Sequence, residues 1–164
     1  FEYLESISGD LWIEWNESLR GMTGFARLEQ GRDVLIIAND SLVDVSGFGS
    51  LTDLEASLLV LGNGSLNHVS GFNNLEFVGE DLAISGNESL LVISGFERLA
   101  TVDGDLAIIQ NEALYSILGF VDLVGVGQEL AISKNGALCQ SVVDEWIALL
   151  GTVDGVSVDN DETC

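Results

Sequence analysis

Gly104-x-Leu106-x-Ile108-x-x-Asn111-x-x-Leu114-x-x-Ile117-x-Gly119-Phe120-x-x-Leu123-x-x-Val126 is the clearest copy of a phrase that fills the chain. It recurs as Leu82-x-Ile84-x-x-Asn87 through Gly95-Phe96 to Val102. Its asparagines stand at 16, 39, 63, 87, 111 and 135, at intervals of 23, 24, 24, 24 and 24 residues. A fixed period of this size marks a solenoid, because a single coil cannot bury its apolar side except by stacking on its neighbours. The sequence therefore predicts a mainly β, parallel β-solenoid of about six 24-residue coils with a C-terminal helical cap. It forms one domain over 1–164, with repeats to 138 and the cap from 139.

Within a coil, Leu106-x-Ile108 has the alternation of a strand, which turns Leu106 and Ile108 inward and Asp105, Ala107 and Ile109 outward. The asparagine follows at the strand's end. Stacked side-chain amides there can satisfy backbone groups that are costly to bury unpaired, so the six asparagines predict an internal ladder. At a second corner Phe25, Phe48, Phe72, Phe96 and Phe120 each follow a glycine, and Phe1 continues the column. Glycine allows a positive backbone dihedral or a close approach, and the phenylalanines predict a buried aromatic spine. Columns of leucine headed by Leu19 and Leu28 complete the lining. The short interval falls between Phe25 and Val34, where one residue is missing and a bulge or tightened turn is expected.

Charge bounds the partners. Against 27 Asp and Glu stand 5 Lys and Arg, for a formal net charge of -22. Phosphate binding needs clustered Lys and Arg, so nucleic acid is excluded as a partner and an anionic membrane surface is disfavoured. No apolar run is long enough for a membrane span, so no membrane insertion is expected. Phe1-x-x-Leu4-x-x-Ile7-x-Gly9-Asp10-Leu11 matches Phe96 to Leu106, so the first residues read as the second half of a coil that follows an upstream segment.

After Leu138 the phrase breaks, and Ser141 to Leu150 reads as a helix. Ser141 is its expected cap, Asp144 and Glu145 fall in its first turns, and Gly151 is its expected end. Val143, Trp146, Ile147 and Leu150 share one face, suited to covering the last coil, and Val156-x-Val158 reads as a final strand. Cys139 and Cys164 bracket this segment. As a disulfide they would limit its fraying by about 3 kcal/mol and point to a secreted or surface protein. Two free thiols are the alternative.

The repeated phrase resembles the receptor L domains of the epidermal growth factor and insulin receptor families. It is closer still to secreted bacterial and archaeal proteins of uncharacterised role that share the repeat. Leu138-Cys139, the helix and Asn160-Asp161-Glu162-Thr163-Cys164 are similar to the ending of those bacterial proteins. The resemblance implies a right-handed, leucine-rich-repeat-like solenoid with a disulfide-tied end, displayed at the cell surface or outside the cell. It transfers no binding residue.

No nucleophile and base are paired in the sequence, His68 is the sole histidine, and two cysteines make no zinc site, so an enzyme, a cofactor and a bound metal are not expected. The outward columns carry more. Asp10, Asp33, Asp81, Asp105 and Glu129, interrupted by Ser57, form an acidic file. Like charges about 4.8 Å apart repel by roughly 1 kcal/mol in water, which predicts a solvated rim. Calcium prefers several oxygen ligands in one site and a single file supplies few, so specific calcium binding is the lesser alternative. Beside it run Trp12, Leu35, Leu59, Ala83, Ala107, Ala131 and Glu14, Ile37, Leu61, Ser85, Ile109, Ser133. Their N-terminal half is apolar, and contiguous exposed apolar surface marks interfaces. Trp12, Leu35, Ile37, Leu59 and Leu61, flanked by Trp15, are the candidate binding patch, with contact to an upstream segment or a neighbouring copy as the equal alternative to an external ligand.

These features predict an extracellular, non-catalytic recognition or adhesion module that binds a protein or glycan on its sheet face. The alternative is a structural spacer or surface-layer component that self-associates through the patch. Ice binding is a weaker third reading, since the outward columns lack a regular threonine array.

Overall fold

The computed structural model describes residues 1–150, 153 and 156–164. It is a parallel β-solenoid of about five complete turns, ending in one helix. Each turn contributes one four-residue strand and two short ones. The first holds β1 (Leu11–Glu14), β2 (Gly21–Met22) and β3 (Gln30–Gly31); the second holds β4 (Val34–Ile37), β5 (Asp44–Val45) and β6 (Asp53–Leu54). The third holds β7 (Leu58–Leu61), β8 (His68–Val69) and β9 (Phe77–Val78); the fourth holds β10 (Leu82–Ser85), β11 (Val92–Ile93) and β12 (Thr101–Val102). The fifth holds β13 (Leu106–Ile109), β14 (Ser116–Ile117) and β15 (Gly125–Val126). After β16 (Leu130–Ser133) the chain enters helix α1 (Gln140–Leu150) in place of two more short strands, then returns as β17 (Val156–Asp159).

The strands stack into three parallel sheets of seven, five and five strands. Register follows the repeat: Leu82 pairs with Leu58 and Leu106, and Ile84 with Val60 and Ile108. Because side chains alternate along a strand, Leu82 and Ile84 are buried while Ala83 and Ser85 stay on the outer face. The tightened connection expected near Val34 is present. Two residues, Arg32 and Asp33, join β3 to β4, where three join β6 to β7.

The phenylalanines stack along the axis. Successive ring centroids from Phe1 to Phe120 lie 5.3, 5.2, 5.1, 5.3 and 4.9 Å apart, with interplanar angles of 15° or less. Offset stacking at this separation adds about 0.5–1.5 kcal/mol per pair beyond the burial of the rings. The preceding glycines let neighbouring coils approach. A Cβ on Gly71 would come within 2.8 Å of the Ser46 Cα, closer than real side chains tolerate.

Asparagine side chains bind the coils at the other corner. Asn39, Asn63, Asn87, Asn111 and Asn135 are fully buried. The backbone N–H and Nδ2 of Asn63 both donate to Asn87 Oδ1 (2.9 and 3.2 Å), and Nδ2 also donates to the Ile36 and Leu61 carbonyls. Asn39, Asn87 and Asn111 repeat this pattern, and Asn135 does so without the carbonyl two residues back, so each of these buried amides links three consecutive turns. One buried side-chain polar atom among the described residues, Glu97 Oε2, lacks a partner. The ladder is longer than the six asparagines of the phrase. Asn135 donates to Asn160 Oδ1, and Asn160 donates to Gln140 Oε1 at 3.1 Å from both its nitrogens.

The cap departs in detail from the sequence reading. The helix begins at Gln140, so Ser141 is a residue inside it rather than its cap, and the Cys139 carbonyl receives the first N–H groups, from Val142 and Val143. Asp144 and Glu145 therefore lie in the second turn, and the expected end at Gly151 lies outside the described residues. Val143 is buried, with Trp146, Ile147 and Leu150 packed against the core. Trp146 closes the aromatic column, its ring 5.8 Å from Phe120 and tilted 41°. β17 pairs with β16 in parallel, and Cys139 is bonded to Cys164 with their Cα atoms 5.8 Å apart. Beside this bond Thr163 donates from its hydroxyl and its N–H to Asp161 Oδ1, which holds that carboxyl below the ordinary carboxylate value. No helix among the described residues is long and apolar enough to cross a membrane.

Candidate functional site

The outer face of the seven-stranded sheet is built by strand parity. Residues whose neighbours fill the core are turned outward, and parallel register sets equivalent positions side by side. Trp12 therefore pairs with Leu35 and Leu35 with Leu59, while Glu14 pairs with Ile37 and Ile37 with Leu61. Five of the six candidate residues come together as two adjacent files across β1, β4 and β7. Trp12 is 58% exposed, whereas Leu35, Ile37, Leu59 and Leu61 are half-buried because each long side chain lies against its neighbours in the file. The face then narrows in chemistry to Ala83, Ala107 and Ala131 beside Ser85, Ile109 and Ser133.

Trp15 is placed differently. It sits past the end of β1 with a positive φ of 57°, and its side chain is 74% exposed. Ala38, Gly62, Gly86, Gln110 and Lys134 occupy the same corner, also with positive φ, each just before a ladder asparagine. The left-handed turn breaks strand alternation, so Trp15 edges a separate surface recess with Asn16, Glu17, Ser18 and Leu19. Gly62 and Gly86 were the sequence signal for this corner, masked by the other four occupants. Trp12 also borders a recess of about 420 Å³ at the first turn, with Phe1, Ile13, Leu19, Met22 and Phe25.

The acidic file lies along a solvated rim, with Asp10, Asp81 and Glu129 exposed, and it is also hydrogen-bonded from coil to coil. The Ser57 N–H donates to Asp33 Oδ1, the Asp105 N–H to Asp81 Oδ1 and the Glu129 N–H to Asp105 Oδ1, each at 2.8 Å. Ser57 does not interrupt the file, since its Oγ accepts the Asp81 N–H at 3.3 Å. On this exposed rim water competes for each bond, so its net contribution of about 1 kcal/mol is comparable to the roughly 1 kcal/mol of repulsion between neighbours. At the first turn Arg32 takes the place of the backbone donor, 3.3 Å from Asp10 and 3.6 Å from Asp33. Among the described residues no three His, Cys, Asp or Glu side chains converge as a metal site would require.

Chemically, the face offers an apolar strip with an indole at one end, bordered by carboxylates whose oxygens already accept backbone N–H groups. Such a strip can bury an apolar or ring-bearing surface of a partner. No protein-family model matches the chain, and no curated protein or solved structure matches it.

Proposed function

We propose that the protein is an extracellular, non-catalytic recognition or adhesion module that binds a protein or a glycan on the outer face of its seven-stranded sheet. One observation carries this reading. Trp12, Leu35 and Leu59 stand in register beside Ile37 and Leu61 on the outer face, while the inward positions of the same strands already fill the core. Indole faces suit sugar rings and apolar protein surfaces alike. The disulfide between Cys139 and Cys164 supports an oxidising location. The resemblance of the repeat to receptor L domains supports display outside the cell, and under it the solenoid winds right-handed in about six 24-residue coils.

A second reading is a structural spacer or surface-layer component that self-associates. The observation favouring it is that the apolar files run unbroken across three neighbouring strands, β1, β4 and β7, as a face that a second copy could cover.

The variant Leu35→Ser/Leu59→Ser separates the two readings. Its melting transition should stay close to that of the parent, because outward side chains are not part of the stack. On a glycan array and against extracellular-protein panels, the parent should bind a defined ligand and the variant should lose it. Sedimentation velocity across a concentration series that shows parent oligomers dispersed by the variant would support the spacer. A monomer with no ligand in either format would defeat both.

A further inference from the structure

The fifth turn breaks the pattern of the other four on the side away from the large sheet. Leu118 stands where earlier coils carry Thr23, Ser46, Ser70 and Ser94. Val121 occupies the position of Ala26, Gly49, Asn73 and Glu97, and Val124 that of Glu29, Thr52, Glu76 and Ala100. All three side chains point to solvent, 63%, 72% and 73% exposed. Leu149 of α1, 84% exposed, joins them. Together they edge a groove of about 370 Å³ between the last turn and the helix, with Phe120 and Trp146 also lining it. Three columns that are polar or small for four coils become apolar together at the one turn where α1 leaves a cleft.

We infer that this groove is a second docking site, distinct from the sheet face, for a short apolar segment of a partner protein flanked by lysine or arginine. Size argues against a second copy of this chain. A stable dimer needs roughly 20–30 residues from each side, whereas nine residues line this groove. Charge argues the same way, since each copy brings a formal charge of -22 and like-charged molecules repel. The surroundings specify the flanks. Exposed Asp122 and Glu145 adjoin groove residues in the chain, and the nearest basic residue by column, Arg98 one coil below Asp122, is already paired with Glu76 at 3.7 Å. An apolar insert with cationic ends satisfies both the groove and its rim. This inference stands independently of the sheet-face reading.

The test uses a fluorescent eight-residue peptide, Lys-Lys-Leu-Phe-Leu-Val-Lys-Lys, and a control in which the four central residues are serine. The variant Leu118→Ser/Val121→Asn/Val124→Thr carries at each position a residue that the same column already holds in another coil, so the fold should persist. It adds no charge. The folded chain should bind the apolar peptide about tenfold more tightly than the serine control, as burial of one or two apolar side chains gives. The triple variant should erase that difference, and Leu35→Ser/Leu59→Ser should leave it unchanged. Equal binding of both peptides, or a difference that survives the triple substitution, would overturn the proposal. So would sedimentation showing a parent dimer that the triple variant dissociates, or parent protein floating with phosphatidylcholine vesicles while ignoring the apolar peptide.

Discussion

The first and last described turns carry the same columns in different surroundings. At the C-terminal end Trp146 covers Phe120, Gln140 accepts from Asn160, and the disulfide ties Cys139 to Cys164. At the N-terminal end Phe1 stacks on Phe25 but remains 83% exposed, and Asn16 is exposed although it donates to Asn39. The difference teaches that a residue's worth in this fold depends less on its type than on whether a coil lies on both sides of it, as expected where stability is a sum of nearest-neighbour interfaces.

Matched substitutions in the centre and at the end can break that comparison. Phe72→Ala should destabilise by about 3–5 kcal/mol, the range for emptying a buried aromatic site. Phe1→Ala should stay within about 1 kcal/mol. Denaturant melts of the two variants decide it, and equal effects would dissolve the distinction between centre and end.

The asparagine ladder gives the next contrast. Asn87→Ala removes the acceptor of two Asn63 nitrogens and the donor to the Val60 carbonyl. At about 1–3 kcal/mol for each buried group left unpaired, the loss should be about 3 kcal/mol or more. Asn16→Ala, at the exposed end, should cost about 1 kcal/mol. Asn87→Asp should be no better than alanine, because a carboxylate cannot donate to Val60. Thermal melts at neutral pH would show the order.

Smaller effects sharpen the picture at the rim and the corner. Asp105→Ala removes the acceptor of the exposed Glu129 N–H, which water can replace, and should cost about 0.5–1 kcal/mol, measurable in the same melts. At the left-handed corner Gly86→Ala finds room for its Cβ, with its closest contact at 3.8 Å, so strain alone should cost about 1 kcal/mol. Ala38→Gly relieves that strain against the backbone entropy of glycine and should stabilise by about 0.5 kcal/mol.

What the sequence made legible were the features that repeat as side chains. The asparagines, phenylalanines and alternating Leu-x-Ile pairs recur by identity, so their columns, burial and register could be read directly, and strand parity then placed Trp12, Leu35, Ile37, Leu59 and Leu61 on one outer face. Features made by the backbone were hidden. The acidic file read as a solvated rim, but its coil-to-coil hydrogen bonds were hidden because their donors are main-chain N–H groups that no residue type announces. The left-handed corner was obscured because Trp15, Ala38, Gln110 and Lys134 share it with two glycines. Asn160 escaped because it follows Val158 after one residue, whereas Asn135 follows Ile132 after two. The apolar turn of Leu118, Val121 and Val124 was visible only by comparing columns coil by coil, since each residue alone is unremarkable.

Native-state hydrogen exchange tests the nearest-neighbour account most directly, because it reads the opening free energy of each coil separately. The account predicts slowest exchange at Ile84 and Ile108, in central strands, and fastest among the strands of the large sheet at β1. Ile132 should be nearly as protected as the centre while the disulfide is intact, and should lose protection first after reduction of Cys139–Cys164. Uniform exchange from β1 to β16, unchanged by reduction, would contradict it.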